Sequence, residues 1–249
     1  MCEVSWTGVQ ARCEGVAITN GGNCSQPDTF LCEHTDRGYW CGEERVRRIP
    51  LSRRSHIIGF QPLRTGAAEH ESALERDFIT LSIFLDPAAV ITAQPITITF
   101  QVGAVTKRYT PDYSVAWSGG KREIVEVKYL SDLRANRERF KERFAAMEGW
   151  ARARGATFRV ATEREIRVCA LENAKRLLPL RTAAFDPDIA QSVLSAVRGL
   201  VAPTFTNVMS AVPAERPSVL ATLWCLLARG VLDVDLSLPI TPSSVIRLP

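Results

Sequence analysis

Hydrophobic positions change period several times along these 249 residues. Between residues 70 and 85 (HESALERDFITLSIFL), Leu74, Phe78, Leu81 and Leu85 recur at helical spacing, which predicts a helix with one buried stripe. Glu71 and Glu75 stand four apart on a neighbouring face, and Pro87 follows as a stop. Over 89–101, Val90-Ile91 is followed by the alternation of Ile96, Ile98 and Phe100, a strand with Pro95 at its beginning. Tyr113, Val115 and Trp117 then alternate with Asp112, Ser114 and Ala116, the pattern of a half-buried strand. Ser118-Gly119-Gly120 is turn chemistry. Ile124 to Lys128 resumes in β-branched residues as a second strand. Over 132–154, Phe140, Phe144, Met147 and Ala151 line one face of a long helix that Gly155 ends. Phe158 to Thr162 reads as a further strand. Helix, three strands, helix, strand make a small α/β unit with a mixed sheet flanked by helices.

The flanks read differently. Residues 165–198 are mostly helical, broken at Pro179 and Pro187. Residues 215–230 form an apolar helix with Pro217 in its first turn and Gly230 as its cap. Val231–Leu236 and Ser244–Leu248 read as a short hairpin, so 168–249 is predicted as a helical, winged-helix-like domain. Trp224 and Cys225 are core positions, and no chemistry attaches to them or to Cys169. Residues 1–48 carry Cys2, Cys13, Cys24, Cys32 and Cys41 with His34 and Trp40, but no hydrophobic period. The closely spaced cysteine pair that carries most of a zinc signal is absent. This segment is read as a poorly ordered extension. The basic run Arg45–Arg54 (RVRRIPLSRR) either touches phosphates or is a solvated linker.

The chemistry concentrates between Tyr109 and Tyr129 (YTPDYSVAWSGGKREIVEVKY). Side chains two apart on a strand share a face, so Glu126 and Lys128 point the same way. A two-residue turn at Gly119-Gly120 would set Asp112 opposite Val127, on the wrong face. A three-residue loop over Ser118–Gly120, with glycine in the left-handed position, sets Asp112 opposite Glu126. Two carboxylates and a lysine in a P-D-x(13)-E-V-K arrangement suit metal-dependent phosphodiester hydrolysis. A divalent ion held by Asp112 and Glu126 polarises phosphate and lowers the pKa of bound water. Oxygen ligands without neighbouring His or Cys favour Mg²⁺ or Mn²⁺ over zinc. Lys128 would orient water or neutralise developing charge. The bland alternative is an exposed hairpin with Glu and Lys on its wet face.

Composition changes this picture little. Hydrophobic residues make up 46%, enough for a real core, and a net charge of +4 permits a nucleic-acid partner without requiring one. No apolar run reaches membrane-helix length, and the N-terminus lacks a signal-peptide pattern. The expectation is a cytoplasmic protein with reduced thiols and no membrane partner.

The order of elements, with P-D and E-V-K on the central hairpin, resembles the restriction-endonuclease-like fold of PD-(D/E)xK nucleases. More specifically, E-S-A-L-E-R-D-F at 71–78, L-D-P at 85–87, Q-P at 94–95, Y-T-P-D at 109–112 and V-E-V-K at 125–128 resemble TnsA. That family is the endonuclease subunit of heteromeric cut-and-paste transposases. The likeness covers about residues 49–167 and continues more loosely into 168–249. It implies an active site of Glu75, Asp112 and Lys128, with two Mg²⁺ ions, Asp112 bridging them and Glu75 on one. Glu126 fills a position that some relatives occupy with glutamine, and the Val127 carbonyl is a further candidate ligand. Gln94 supports the site or only the strand. The implied activity is cleavage at the 5′ ends of a transposon, with DNA, a DDE transposase subunit and an AAA+ transposition regulator as partners. An autonomous restriction or repair nuclease, and a non-catalytic transposition adaptor, are the competing readings.

Overall fold

Two units share the chain, and they do not follow sequence order. The computed structural model describes residues 59–63 and 66–249. The cysteine-bearing residues 1–48 and the basic run at 45–54 lie outside the described residues. In chain order the elements are β1 (Gly59–Leu63), β2 (Gly66–His70), α1 (Ala73–Leu85), β3 (Val90–Ala93), β4 (Ile98–Val102), β5 (Val105–Tyr109), β6 (Tyr113–Ala116) and β7 (Arg122–Val127). Then come α2 (Leu130–Ala135), α3 (Arg137–Arg152), β8 (Thr157–Ala161), α4 (Glu163–Ile166), α5 (Cys169–Leu177), α6 (Pro187–Gly199), α7 (Phe205–Ala211), α8 (Arg216–Ala228), β9 (Asp233–Val234) and β10 (Ile246–Arg247). Among the described residues, the first unit holds Ile91–Glu126 and Ser131–Val160. The second holds those up to Val90, Val127–Leu130 and Ala161–Pro249.

The first unit is built on a four-stranded mixed sheet in the order β3-β6-β7-β8. A separate two-stranded ribbon pairs β4 with β5 across the two-residue loop Gly103-Ala104, with Val102 opposite Val105. Gly103 takes a positive φ of 58°, which suits the first central position of a tight hairpin turn. Helix α3 buries Phe140, Met147, Trp150 and Ala151. Met147, Trp150 and Ala151 form one core with Ile98, Phe100, Tyr109 and Ile124. The helix ends as predicted: Gly155 sits at φ +67° and the Ala156 N–H reaches back to the Ala151 carbonyl.

The strand expected over 89–101 is two strands in different sheets, because Gln94 turns the backbone to φ +44° and Pro95 has no N–H for a ladder. The helix expected over 132–154 is two, separated at Asn136, whose φ of −120° and ψ of 27° leave the helical region; its backbone N–H and its side-chain amide both donate to the Asp132 carbonyl. The hairpin is not half-buried. Tyr113, Val115 and Val125 are buried on one face, and Ser114, Ile124 and Glu126 on the other.

In the second unit, the helix expected from residue 70 begins at Ala73, because His70 ends β2 and Ser72 caps the helix, its side chain accepting from the Glu75 N–H. Leu74, Phe78 and Leu81 are buried as the stripe predicts, but Leu85 is 58% exposed at the final position. The C-terminal core joins Leu177, Val193, Val197, Phe205, Val208, Leu223, Leu226 and Ile246. Cys225 is buried and Trp224 packs against this cluster, as the sequence indicated. Arg181 ties two helix ends together. Its guanidinium donates to the Ile83 and Phe84 carbonyls of α1 and to the Ala228 carbonyl of α8, satisfying acceptors that a helix terminus leaves open. The predicted hairpin near the end is present but short, with Ile246 opposite Val234 and Arg247 opposite Asp233.

Candidate active site around the central hairpin

The register of β6 on β7 decides which carboxylates meet. Tyr113 lies opposite Val125, Ser114 opposite Ile124, Val115 opposite Glu123 and Ala116 opposite Arg122. The pairing continues past the strand ends, where the Trp117 N–H donates to the Lys121 carbonyl. That leaves Ser118-Gly119-Gly120 as a three-residue loop, closed by Gly120 N–H to the Trp117 carbonyl, with Gly120 at φ +82°. One step beyond Tyr113 and Val125, the same register sets Asp112 against Glu126. Directly opposed residues of an antiparallel pair share a face, and here it is the Ser114 and Ile124 face.

Glu126 is 3% exposed, so its charge needs partners. The Tyr109 hydroxyl donates to Glu126 Oε2 at 2.7 Å. Tyr109 comes from β5, a strand the sequence reading did not recognise because four of its five residues are exposed and carry no alternation. Its phenol is pushed far above the ordinary tyrosine range, first by burial and then by the charge and hydrogen bond of Glu126, with Asp112 adding to the effect and Arg143 opposing it. Tyr109 therefore stays protonated and remains a donor. Its guanidinium neighbour Arg143 lies 5.7 Å from the Tyr109 ring centroid. The main chain of Asp112 is held as well, since its carbonyl accepts from the Gln94 N–H at 2.8 Å. Gln94 thus supports Asp112 through the left-handed turn it makes, a conformation that costs energy for a non-glycine residue.

The other predicted residues belong to the second unit. Glu75 occupies the third position of α1 and takes part in its cap. Its Oε1 accepts from the Ser72 hydroxyl at 2.9 Å and its Oε2 from the Glu71 N–H at 2.8 Å. This is close to a capping box, a pattern that S-x-x-E announces in sequence. Lys128 is half-buried, its N–H donates to the Ala161 carbonyl, and its Nζ donates to the Val127 carbonyl at 3.1 Å. Asp112 and Glu126 both belong to the first unit, each next to a residue of the Tyr113–Val125 pair. Glu75, Val127 and Lys128 stand in the second.

Asp112 and Glu126 offer carboxylate oxygens, which suit a hard divalent cation better than zinc. Among the described residues, no three or more His, Cys, Asp or Glu side chains gather as a metal-holding group.

An α/β unit with a mixed sheet flanked by helices and acidic residues on its central hairpin is compatible with a restriction-endonuclease-like nuclease. Residues 88–163 match the family model described as TnsA-like endonuclease N terminal, and the match supports membership of the TnsA family. It points to a nuclease role in transposition. Asp112, Glu126, Val127 and Lys128 fall inside the matched residues, and Glu75 lies outside them. No curated protein matches the chain. Among the described residues, no helix is long and apolar enough to cross a membrane.

Proposed function

We propose that this chain is a cytoplasmic, metal-dependent DNA endonuclease that cuts the 5′ ends of a transposon during cut-and-paste transposition. A DDE transposase subunit cuts and joins the 3′ ends, and an AAA+ regulator directs the assembly. One observation carries the reading: the β6–β7 register pairs Tyr113 with Val125, one step from Asp112 and Glu126, inside the stretch that matches the TnsA-like endonuclease domain. Glu75 supplies the third carboxylate. Asp112, Glu126, Glu75 and the Val127 carbonyl would hold Mg²⁺ or Mn²⁺, with two ions expected. When bound, such ions polarise the phosphate and stabilise the attacking and leaving oxygens.

The residues divide the remaining work. Asp112 and Glu75 orient the water that attacks phosphorus. Tyr109 fixes Glu126 by donating to one of its oxygens. The Lys128 ammonium offsets the negative charge that grows on the phosphate. Water adds to phosphorus and the bond to the 3′ oxygen breaks. The products are a 5′-phosphate and a 3′-hydroxyl, the leaving oxygen taking up a proton. Residues 168–249, read as a winged-helix-like domain, carry nearly balanced charge and suit contact with a protein partner.

Strand-break mapping tests this with purified chain, its DDE partner and DNA carrying transposon ends in Mg²⁺. Breaks at the 5′ ends that vanish in Lys128→Ala, while the partner's 3′ breaks persist, are the expected result. Cutting by this chain without the partner would favour an autonomous nuclease. Identical products from Lys128→Ala would leave a non-catalytic adaptor as the better account.

A further inference from the structure

Within the second unit, a buried charge joins the two segments that carry Glu75 and Lys128. Asp77 lies on α1 two residues after Glu75 and is 3% exposed. Its Oδ2 accepts from Arg167 Nε at 3.0 Å, and Lys175 Nζ stands 3.4 Å from its Oδ1. The same Arg167 guanidinium donates from Nη2 to the Tyr129 hydroxyl at 3.2 Å and lies 5.5 Å from the centre of that ring. Tyr129 directly follows Lys128. Two further bonds hold this segment: Lys128 N–H to the Ala161 carbonyl, and Leu130 N–H to Glu163 Oε2 at 2.9 Å. Arg167 is therefore a bridge with one end on α1 and the other on residues 128–130.

The spacing gives the bridge a purpose. Residues two apart on a helix project to nearly opposite sides. Neighbours along an extended chain also project to opposite sides. Anchoring Asp77 and Tyr129 to one guanidinium fixes the rotation of α1 and the setting of the 128–130 segment, and turns Glu75 and Lys128 away from the anchor. A carboxylate buried this deeply is costly to keep, and an apolar residue of similar volume would often be as stable. Retaining it is reasonable where orientation matters more than stability.

We propose that Arg167, through Asp77 and Tyr129, is a positioning residue that holds the Glu75 helix and the Lys128 segment in fixed register for strand cleavage. The proposal rests on the nuclease reading above. The test compares the full chain with Arg167→Ala, Arg167→Lys and Tyr129→Phe, beside Lys128→Ala. Amide hydrogen exchange is read without metal or DNA, and cutting is read with the partner. In Arg167→Ala, the Lys128 and Tyr129 amides should exchange about tenfold faster, while Ile124 and Val125 stay unchanged. Cutting should slow by about 10- to 100-fold at unchanged DNA affinity. Arg167→Lys, which keeps the charge but not the fork, should fall between.

Unchanged exchange with unchanged cutting overturns the proposal. So does faster exchange with native cutting, which would make the bridge merely structural. Slower cutting without faster exchange would give Arg167 a direct role and also overturn it. If Arg167→Ala loses its native circular dichroism, Tyr129→Phe decides, since it removes only the hydroxyl. Should Lys128→Ala cut normally, the nuclease reading fails on its own, and the exchange result still judges the bridge.

Discussion

Glu75 shows how one side chain can answer to two demands. Its carboxylate closes the N-terminus of α1 by accepting from Ser72 and Glu71, and it is also the third carboxylate proposed for the active site. The two roles separate by substitution. Glutamine can keep the cap, because it accepts a hydrogen bond and is the other residue of the capping box, but it brings no charge to a cation. Glu75→Gln should therefore melt near the unaltered chain and fail to cut. Glu75→Ala should lose cutting as well, and about 1 kcal/mol of stability with the cap, some 2–4 °C in a chain of this size. Thermal melts beside cleavage assays check both, and a Glu75→Gln chain that cuts normally would remove Glu75 from the site. The sequence reading carried the helix back to residue 70 and missed the cap, although S-x-x-E can mark one. Tyr109 was not legible as a partner of Glu126, because 17 residues separate them and the two lie in different sheets. Nor does anything in Gln94 and its neighbours announce a left-handed turn at a residue followed by proline, a position that normally takes extended backbone.

At the scale of elements, the opposition of Asp112 and Glu126 was legible because loop length fixes register. The decisive residue is Gly120. Added methyl groups at Gly119 and Gly120 would meet nothing within 4 Å, but only Gly120 has positive φ, at +82°. Gly120→Ala should thus cost about 1–2 kcal/mol from backbone strain alone, and Gly119→Ala less than about 0.5 kcal/mol. Urea unfolding of the pair checks this, and equal costs would mean that the loop is not the one described. The end of the same hairpin is clamped by Glu123. It accepts from Trp117 Nε1 at 2.8 Å, pairs with Lys121 at 2.7 Å and has Arg159 at 3.5 Å. Burial would raise its pKa, but Lys121, Arg159 and Trp117 together outweigh burial and hold it below the usual 4.5. A depressed carboxylate adds stability above its unfolded pKa and loses it as pH falls through the lower folded one. Stability should therefore decline below about pH 4.5, and Glu123→Gln should flatten that part of the curve while lowering stability at neutral pH. Urea midpoints between pH 3 and 7 test it, and a curve of unchanged shape would show that Glu123 does not contribute. Strand β5 and hairpin β1–β2 went unseen for a shared reason: exposed or short strands give the hydrophobic alternation little to print.

At the scale of the whole molecule, the sequence suggested linear segments, 49–167 and 168–249, whereas the chain alternates between units, with Val127–Leu130 belonging to the second although β7 belongs almost wholly to the first. Periodicity reports which side of an element is buried, not which neighbour buries it, so such alternation leaves no local mark. Charge divides between the units more clearly. Residues 91–126 and 131–160 carry twelve Lys and Arg against seven Asp and Glu, while the described residues of the second unit carry eleven against thirteen. In the first unit Lys107, Arg108, Arg139 and Arg143 line a cleft of about 300 Å³ together with Glu138 and Glu142. Lys107 is committed to Glu142 at 2.7 Å, which leaves Arg108 and Arg139 as the better phosphate contacts. Each cation that neutralises a phosphate releases counterions, so affinity falls steeply with salt, and loss of one contact reduces the slope by about one. Arg108→Ala and Arg139→Ala should therefore each weaken binding of transposon-end DNA at low salt and flatten its salt dependence by about one unit. Arg198→Ala and Arg216→Ala, on helices of the C-terminal part, should change neither. Fluorescence anisotropy from 50 to 300 mM salt reads both quantities. The reverse pattern, with the slope held by Arg108 and Arg139 variants and lost in the Arg198 and Arg216 variants, would move the DNA surface to residues 161–249 and make them the nucleic-acid contact in place of a protein one.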